Sequence, residues 1–282
     1  NINLDLIHKK EKDEIIKYNK YNLNNVMFLE CTHDKYLTNK FNDFISKMIN
    51  LNNITLHNYH IINNDKKDKT NYNFISCLTK LNEITLQGSD YHRNYNDILN
   101  IISNNNKISK LNILDDYNFE NIDFDEIKIN TNIKSLKIDN SLSSSDDLNN
   151  MIRVLPNLNE LCIDGNLCVD DLEFDYLYIS NLMNLNKLVI TNSNINMISM
   201  QSISYLTNLN YLNFSFNSYN LPFLENNSLN FISSLINLTF IEISNYKLLD
   251  NGSIFFFDKL IKLKSVYIND VGLNISSIIK NI

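Results

Sequence analysis

The chain has 282 residues, a formal net charge of −7 and a hydrophobic content of 44%, with four cysteines and only four glycines. An acidic chain of this kind lacks the clustered Lys and Arg that nucleic-acid binding needs, and no apolar run approaches the ~18 residues that cross a membrane. The cysteines are scattered and no signal-peptide pattern opens the sequence, so we expect a cytoplasmic or otherwise intracellular protein.

A pattern of apolar residues, L-x-x-L-x-L with Leu, Ile, Val and Phe taken as equivalent, recurs ten times at intervals of 24 to 30 residues. By the two-residue alternation of a β-strand, the last two apolar residues of each copy point inward and their neighbours point outward. Before the first copy, Leu4 and Leu6 predict the strand of a partial repeat. The ten inward pairs are Val26/Phe28, Ile54/Leu56, Ile84/Leu86, Leu111/Ile113, Leu136/Ile138, Leu161/Ile163, Leu188/Ile190, Leu212/Phe214, Ile241/Ile243 and Val266/Ile268.

The segments between these strands have apolar residues at helical spacing, which predicts amphipathic helices of two to three turns packed on the sheet. Cys77, beside Phe74 and Leu78, is expected on the buried face of one of them. Asn, about a fifth of the chain, is interpreted as solvated filler between the periodic positions. The helical apolar sets include Phe41, Phe44, Ile45 and Met48; Ile98, Ile101 and Ile102; Leu148, Met151, Ile152 and Leu155; Met200, Ile203 and Leu206; and Ile254, Phe257 and Leu260.

Repeats of this length and pattern resemble the leucine-rich repeat superfamily over nearly the whole chain. The resemblance implies an α/β fold: a right-handed solenoid, or curved horseshoe, with a parallel sheet on its concave face and short helices on its convex face. The family's ninth repeat position, usually Asn or Cys, matches at Cys31, Asn166 and Asn217. The repeat length is similar to that of the ribonuclease-inhibitor-like and F-box-associated types.

This organisation predicts a single leucine-rich-repeat domain over residues 1–282. Residues 1–22 form a partial N-terminal repeat or cap, residues 23–270 the ten repeats, and residues 271–282 a C-terminal helical half-repeat. Neither end shows a convincing polar capping repeat, so two interpretations stay open. The chain is a segment of a longer protein, or short helices cap it.

The outward positions of the last three repeats differ from the small, polar ones in the middle of the chain. Tyr211, Phe240 and Tyr267 are large aromatic residues there, with Glu242 as a polar neighbour and Phe216 just beyond its strand. Large aromatic residues are typical of binding hot spots, which predicts a partner site on these repeats. Aromatic residues also pack well across strands, which is the competing explanation.

A second candidate surface is acidic. From Lys110 to Asp175 there are 15 acidic and 5 basic residues, and this band would attract a basic partner. The alternative is that these acidic residues only keep the solenoid soluble. Its sheet-face members are Asp115, Asp139, Glu160 and Asp164.

The sequence contains no motif typical of catalysis, and we predict neither an enzyme nor a cofactor or metal site. Cys31, His33, His57 and His60 lie in adjacent repeats but lack the spacing of metal ligands. We predict a monomeric, non-catalytic scaffold or adaptor that binds a protein partner on the concave face, with no nucleic acid and no membrane. Two alternatives remain: recognition of a non-protein ligand (glycan, lipid or nucleic acid), or the substrate receptor of a ubiquitin ligase.

Overall fold

The computed structural model describes thirteen stretches of the chain, and it divides the chain into two compact units, Asn1–Ile133 and Lys134–Ile282. The described residues are 2–3, 27–32, 45–57, 75 with 77–87, 105–114, 127–139, 145–165, 177–192, 197–215, 223–224, 228–244, 247–248 and 258–269.

In the first unit, the described strands pair with one another in chain order, and every pairing is parallel. The predicted inward pairs of the last three of these strands are at most 4% exposed, because apolar residues two apart in a strand share one face. The strands are β1 (Ile2–Asn3), β2 (Phe28–Thr32), β3 (Asn53–His57), β4 (Glu83–Gln87) and β5 (Lys110–Leu114).

The predicted inward pair of the first full repeat, Val26/Phe28, is wrong, because the true inward positions lie three residues later in the sequence. The register places Leu29 and Cys31 opposite the inward pair of β3, and Leu29, expected to face outward, is fully buried. The repeat therefore reads Val26-x-x-Leu29-x-Cys31, and Cys31 is its last inward position instead of its ninth. The pattern allows only Leu, Ile, Val or Phe at this position, and Leu23-x-x-Val26-x-Phe28, three residues earlier, satisfies it. Val26 itself lies outside the described residues.

The partial repeat before it also begins earlier than expected. β1 starts at Ile2, which stands opposite Leu29 of β2. The predicted pair Leu4/Leu6 lies outside the described residues.

In the second unit, six five-residue strands pair in chain order, again all parallel. Their inward pairs are at most 3% exposed, except in the last strand, where Val266 and Ile268 are half-buried. Two short strands, β10 (Phe223–Leu224) and β12 (Lys247–Leu248), form a separate parallel pair. The six strands are β6 (Ser135–Asp139), β7 (Glu160–Asp164), β8 (Lys187–Thr191), β9 (Tyr211–Ser215), β11 (Phe240–Ser244) and β13 (Ser265–Asn269).

The return segments of the second unit contain two α-helices, α1 (Ser145–Val154) and α2 (Met197–Ile203). The predicted apolar face of α1 is at most 1% exposed, which confirms the amphipathic interpretation there. The other described returns are tighter than predicted: two are 3₁₀ helices, Leu177–Asn181 and Ser228–Ser234.

The expectation that Cys77 is buried is wrong. In its turn the carbonyl of Ile75 accepts the N–H of Leu78 at 3.1 Å, so these two residues, three apart, share the buried face. Cys77 lies between them in sequence and is exposed.

Two asparagines have a structural role that the interpretation as solvated filler missed. Asn105 and Asn130 are only 6% exposed, at a turn position that Leu or Met occupies in other repeats. The Oδ1 atom of Asn105 accepts two backbone N–H groups of its own turn, from Lys107 at 2.8 Å and Ile108 at 3.3 Å. The Nδ2 atom of Asn130 donates to the carbonyl of Asn105 at 3.0 Å, so the amide also links neighbouring repeats.

Within the described residues, successive repeats thus each add one strand to a parallel sheet, and from β3 to β11 the strands of that sheet have a buried apolar pair. The parallel sheet and the leucine-rich-repeat fold are confirmed.

Candidate interaction surface

The predicted partner-binding residues occupy neighbouring positions on the outward side of β9, β11 and β13. The register places Phe240 opposite Tyr211, and it places Glu242 opposite Asn213 on one side and Tyr267 on the other. The structure therefore brings four of the five predicted residues together. Phe216, the fifth, lies outside the described residues.

Three of these residues, Tyr211, Phe240 and Tyr267, form what we call the aromatic cluster. The rings of Tyr211 and Phe240 stack with centroids 4.3 Å apart and planes within 2° of parallel. Tyr267 packs against Phe240 with ring centroids 5.4 Å apart, and the two ring planes are tilted by 38° relative to each other. Tyr267 is 58% exposed and the other two are half-buried, so the cluster is an addition to the outside of the sheet and not a part of the core.

Lys187 extends this cluster, and sequence reasoning did not assign it to the site. It stands opposite Tyr211 on β8, and its Nζ atom lies 5.3 Å from the centre of the Tyr211 ring. Because β8 and β11 lie on opposite sides of β9, Tyr211 stands between the Lys187 ammonium and the Phe240 ring. The sequence could have identified Lys187 by its position, since Lys187, Tyr211 and Phe240 occupy the same place in consecutive repeats. A cation near a tyrosine face is stabilised by the ring's quadrupole.

Glu242 is held in place by a neighbouring amide. The Nδ2 atom of Asn213 donates to Oε2 of Glu242 at 2.7 Å. The other side of that amide, Oδ1 of Asn213, is buried and has no hydrogen-bond partner among the described residues. Donation to the carboxylate therefore fixes the Asn213 amide while leaving its acceptor unsatisfied, which is uncommon for a buried oxygen.

The alternative acidic patch is only partly assembled. Asp139 stands opposite Asp164, while Glu160 lies at the other end of β7 and accepts the Ser135 hydroxyl at 3.2 Å. Asp164 accepts a hydrogen bond of 2.6 Å from Nδ2 of Asn192. Asp115 lies outside the described residues. The assembled part of the patch is thus the pair Asp139 and Asp164.

Asn192, the donor to Asp164, follows β8 directly and has a positive φ of 54°. Asparagine tolerates this left-handed conformation better than most residues, which fits its place at the end of a strand.

Cys162 lies on the same face as the acidic patch and is half-buried. Burial raises the pKa of its thiol, and Glu160 adds to this effect, whereas Lys187 and Lys137 act in the opposite direction. The thiol is therefore protonated near neutral pH, which is unfavourable for a nucleophile or a metal ligand.

A metal site is not formed by the part of the chain that the structure describes, where no three His, Cys, Asp or Glu side chains come together. Of the residues considered for a metal, His33 and His60 lie outside that part. No helix within the described stretches is long and apolar enough to cross a membrane.

The outward face of the first unit is a polar network, defined by Asn53, Glu83, Thr85 and Asn112. Both oxygens of Glu83 accept amide hydrogen bonds of 2.8 Å, Oε2 from Asn53 and Oε1 from Asn112. The Asn112 amide also donates to the Thr85 hydroxyl at 2.9 Å. The side chains of this face therefore satisfy one another across three strands.

No protein-family model matches the chain, and a search of curated proteins also gives no match. Among solved structures, internalin C2 of Listeria monocytogenes is similar, with 16% identity over 87% of this chain and 82% of that chain and a TM-score of 0.40. A leucine-rich repeat protein of Leptospira interrogans is similar with 13% identity over 94% of this chain and 88% of that chain, at a TM-score of 0.35. The fold assignment rests on this chain's own strands, apolar pairs and register.

Proposed function

We propose that the chain is a non-catalytic interaction scaffold that binds a protein partner through the aromatic cluster of β9, β11 and β13. The observation that supports this proposal is the stacking of Tyr211 and Phe240, with Tyr267 beside them, on the outside of an already buried sheet core. Aromatic residues in such a patch release water on binding and are enriched among interface hot spots.

The arrangement of the rings favours a protein over a glycan or a nucleic acid. Bases stack on free ring faces, whereas the faces of Tyr211 are directed toward Phe240 and Lys187. Phe240 is likewise placed between two rings of the cluster. Tyr267, which is 58% exposed, is the most accessible ring of the cluster, and its hydroxyl and ring suit contact with aliphatic and polar side chains of a protein.

The experiment is affinity capture with the full chain, followed by measurement of each purified partner against single variants. We expect Phe240→Ala and Tyr267→Ala to weaken binding strongly. Tyr205→Ala is the matched control, because Tyr205 is an exposed tyrosine (64%) on the return after α2, outside the sheet face.

The acidic patch is the competing binding surface, and substitutions in it give the result that would contradict the proposal. If Phe240→Ala and Tyr267→Ala leave affinity unchanged while Asp139→Lys and Asp164→Lys abolish it, the binding surface lies on β6 and β7 and the aromatic proposal is wrong. If the partner proves to be a glycan or a nucleic acid, the class of ligand is wrong.

A further inference from the structure

We infer that the partner contributes a lysine or arginine side chain, which binds between the Glu242 carboxylate and the rings of Phe240 and Tyr267. This inference rests on the proposed function and adds the chemistry of the partner's anchoring group.

The first observation is the composition of the surface. Strands β9, β11 and β13 have nine outward positions in total, and Glu242 is the one charged residue among them. The remaining eight are two tyrosines, one phenylalanine, two asparagines and three serines. A single negative charge therefore lies within an otherwise neutral, aromatic-rich surface.

The second observation concerns the partners of this carboxylate within the part of the chain that the structure describes. Among the described residues Asn213 bonds to Oε2 of Glu242, and no lysine or arginine pairs with the carboxylate. Lys187 is directed at Tyr211, on a strand two positions from that of Glu242, which corresponds to about 10 Å across the sheet. When a partner covers this surface, the Glu242 carboxylate loses hydration that the Asn213 amide replaces only in part, and a cation from the partner offsets that loss.

The third observation is the setting of the carboxylate among rings. Glu242 stands opposite Tyr267 in the register and two residues from Phe240 on the same side of β11. The exposed Tyr267 ring and the carboxylate both attract positive charge, and the Lys187 Nζ atom lies over the Tyr211 ring within the chain in a comparable arrangement. A lysine or arginine stem also covers apolar rings while its charged end reaches the carboxylate.

The test uses a library of random 12-residue peptides displayed on phage and selected on the full chain. Peptides whose binding falls with Phe240→Ala are synthesised, and each Arg is replaced by neutral, nearly isosteric citrulline and each Lys by norleucine. Every peptide is measured against the unchanged chain, Glu242→Gln and the control Asp258→Asn. The Gln side chain still accepts the Asn213 hydrogen bond, while Asp258 is an exposed carboxylate on the return before β13.

We expect one basic residue in each peptide whose neutral replacement weakens binding about tenfold, with the same loss on Glu242→Gln and none on Asp258→Asn. In a double-mutant cycle, the neutral replacement should then cost little against the Glu242→Gln chain, because both changes remove one interaction.

Peptides that need Phe240 and Tyr267 but tolerate every neutral replacement would overturn this inference and leave the proposed function standing. If all selected peptides are insensitive to Phe240→Ala, the proposed function itself is wrong.

Discussion

The polar network of the first unit and the aromatic cluster of the second occupy the same strand positions but behave in opposite ways. Glu83 and Phe240 both begin their strands at the first outward position. Glu83 has both oxygens bonded to asparagines of the neighbouring strands, whereas Phe240 is stacked on Tyr211 and tilted against Tyr267, and both of these rings stay partly exposed.

Under the proposed function, this difference explains how one repeat can produce both an inert face and a binding face. The strand is fixed by its inward pair and by the backbone ladder, so the outward residues are free to vary. A partner that covers the polar network must replace hydrogen bonds that already exist, for little net gain. A partner that covers the aromatic cluster gains the free energy of removing apolar surface from water.

The largest expected effect tests the alternation of inward and outward residues along each strand, on which both faces depend. Leu161 on β7 is fully buried, so Leu161→Ala should lower the free energy of unfolding by roughly 2–5 kcal/mol through the cavity it leaves. Glu160→Ala, next to it and facing outward, should change stability by no more than about 0.5 kcal/mol. Urea denaturation curves of the two variants provide the measurement. Equal losses would mean that the inward and outward assignments are wrong.

The next effect is on binding and separates the two faces directly. Phe240→Ala should weaken partner affinity by about 2 kcal/mol or more, because it removes the central ring of the cluster. Glu83→Ala, at the equivalent strand position of the first unit, should leave affinity unchanged. Calorimetric titration of the purified partner measures both, and similar losses from the two variants would contradict the division into an inert and a binding face.

A smaller effect is expected on the stability of the polar network. Glu83→Ala leaves the amides of Asn53 and Asn112 without their carboxylate acceptor, which should cost about 1 kcal/mol of unfolding free energy. Glu83→Gln keeps one acceptor oxygen and should lose less. If Glu83→Ala is as stable as the unchanged chain in urea, the network does not stabilise the unit.

The smallest effect concerns the cation beside the cluster. Lys187→Met removes the ammonium 5.3 Å from the Tyr211 ring and should cost about 0.5–1 kcal/mol of stability. The same substitution in a Tyr211→Leu background should cost less, since the ring is no longer there to interact. Equal costs in the two backgrounds would show that Lys187 and Tyr211 are not coupled.

Much of the fold follows from the sequence alone, because the spacing of apolar residues reflects a physical constraint. Residues two apart in a strand share a face, so Leu161 with Ile163, like the other predicted pairs from β3 to β11, is identified as core from the sequence. The same alternation places Tyr211, Phe240 and Tyr267 outward. It failed in β2, where the register places Cys31 opposite an inward residue of β3, and the pattern required Leu, Ile, Val or Phe at that position.

Contacts between repeats were decided only by the tertiary structure, because they join residues some 25 to 30 positions apart. Nothing local in the sequence separates the buried Asn130, bonded to the preceding repeat, from the many asparagines at the surface. The same holds for Asn213, which orients Glu242, and for the stacking of Tyr211 on Phe240. The sequence determines which side chains leave the sheet, since that depends on alternation within one strand; which of them meet depends on the register between strands and on the rotamers that packing selects.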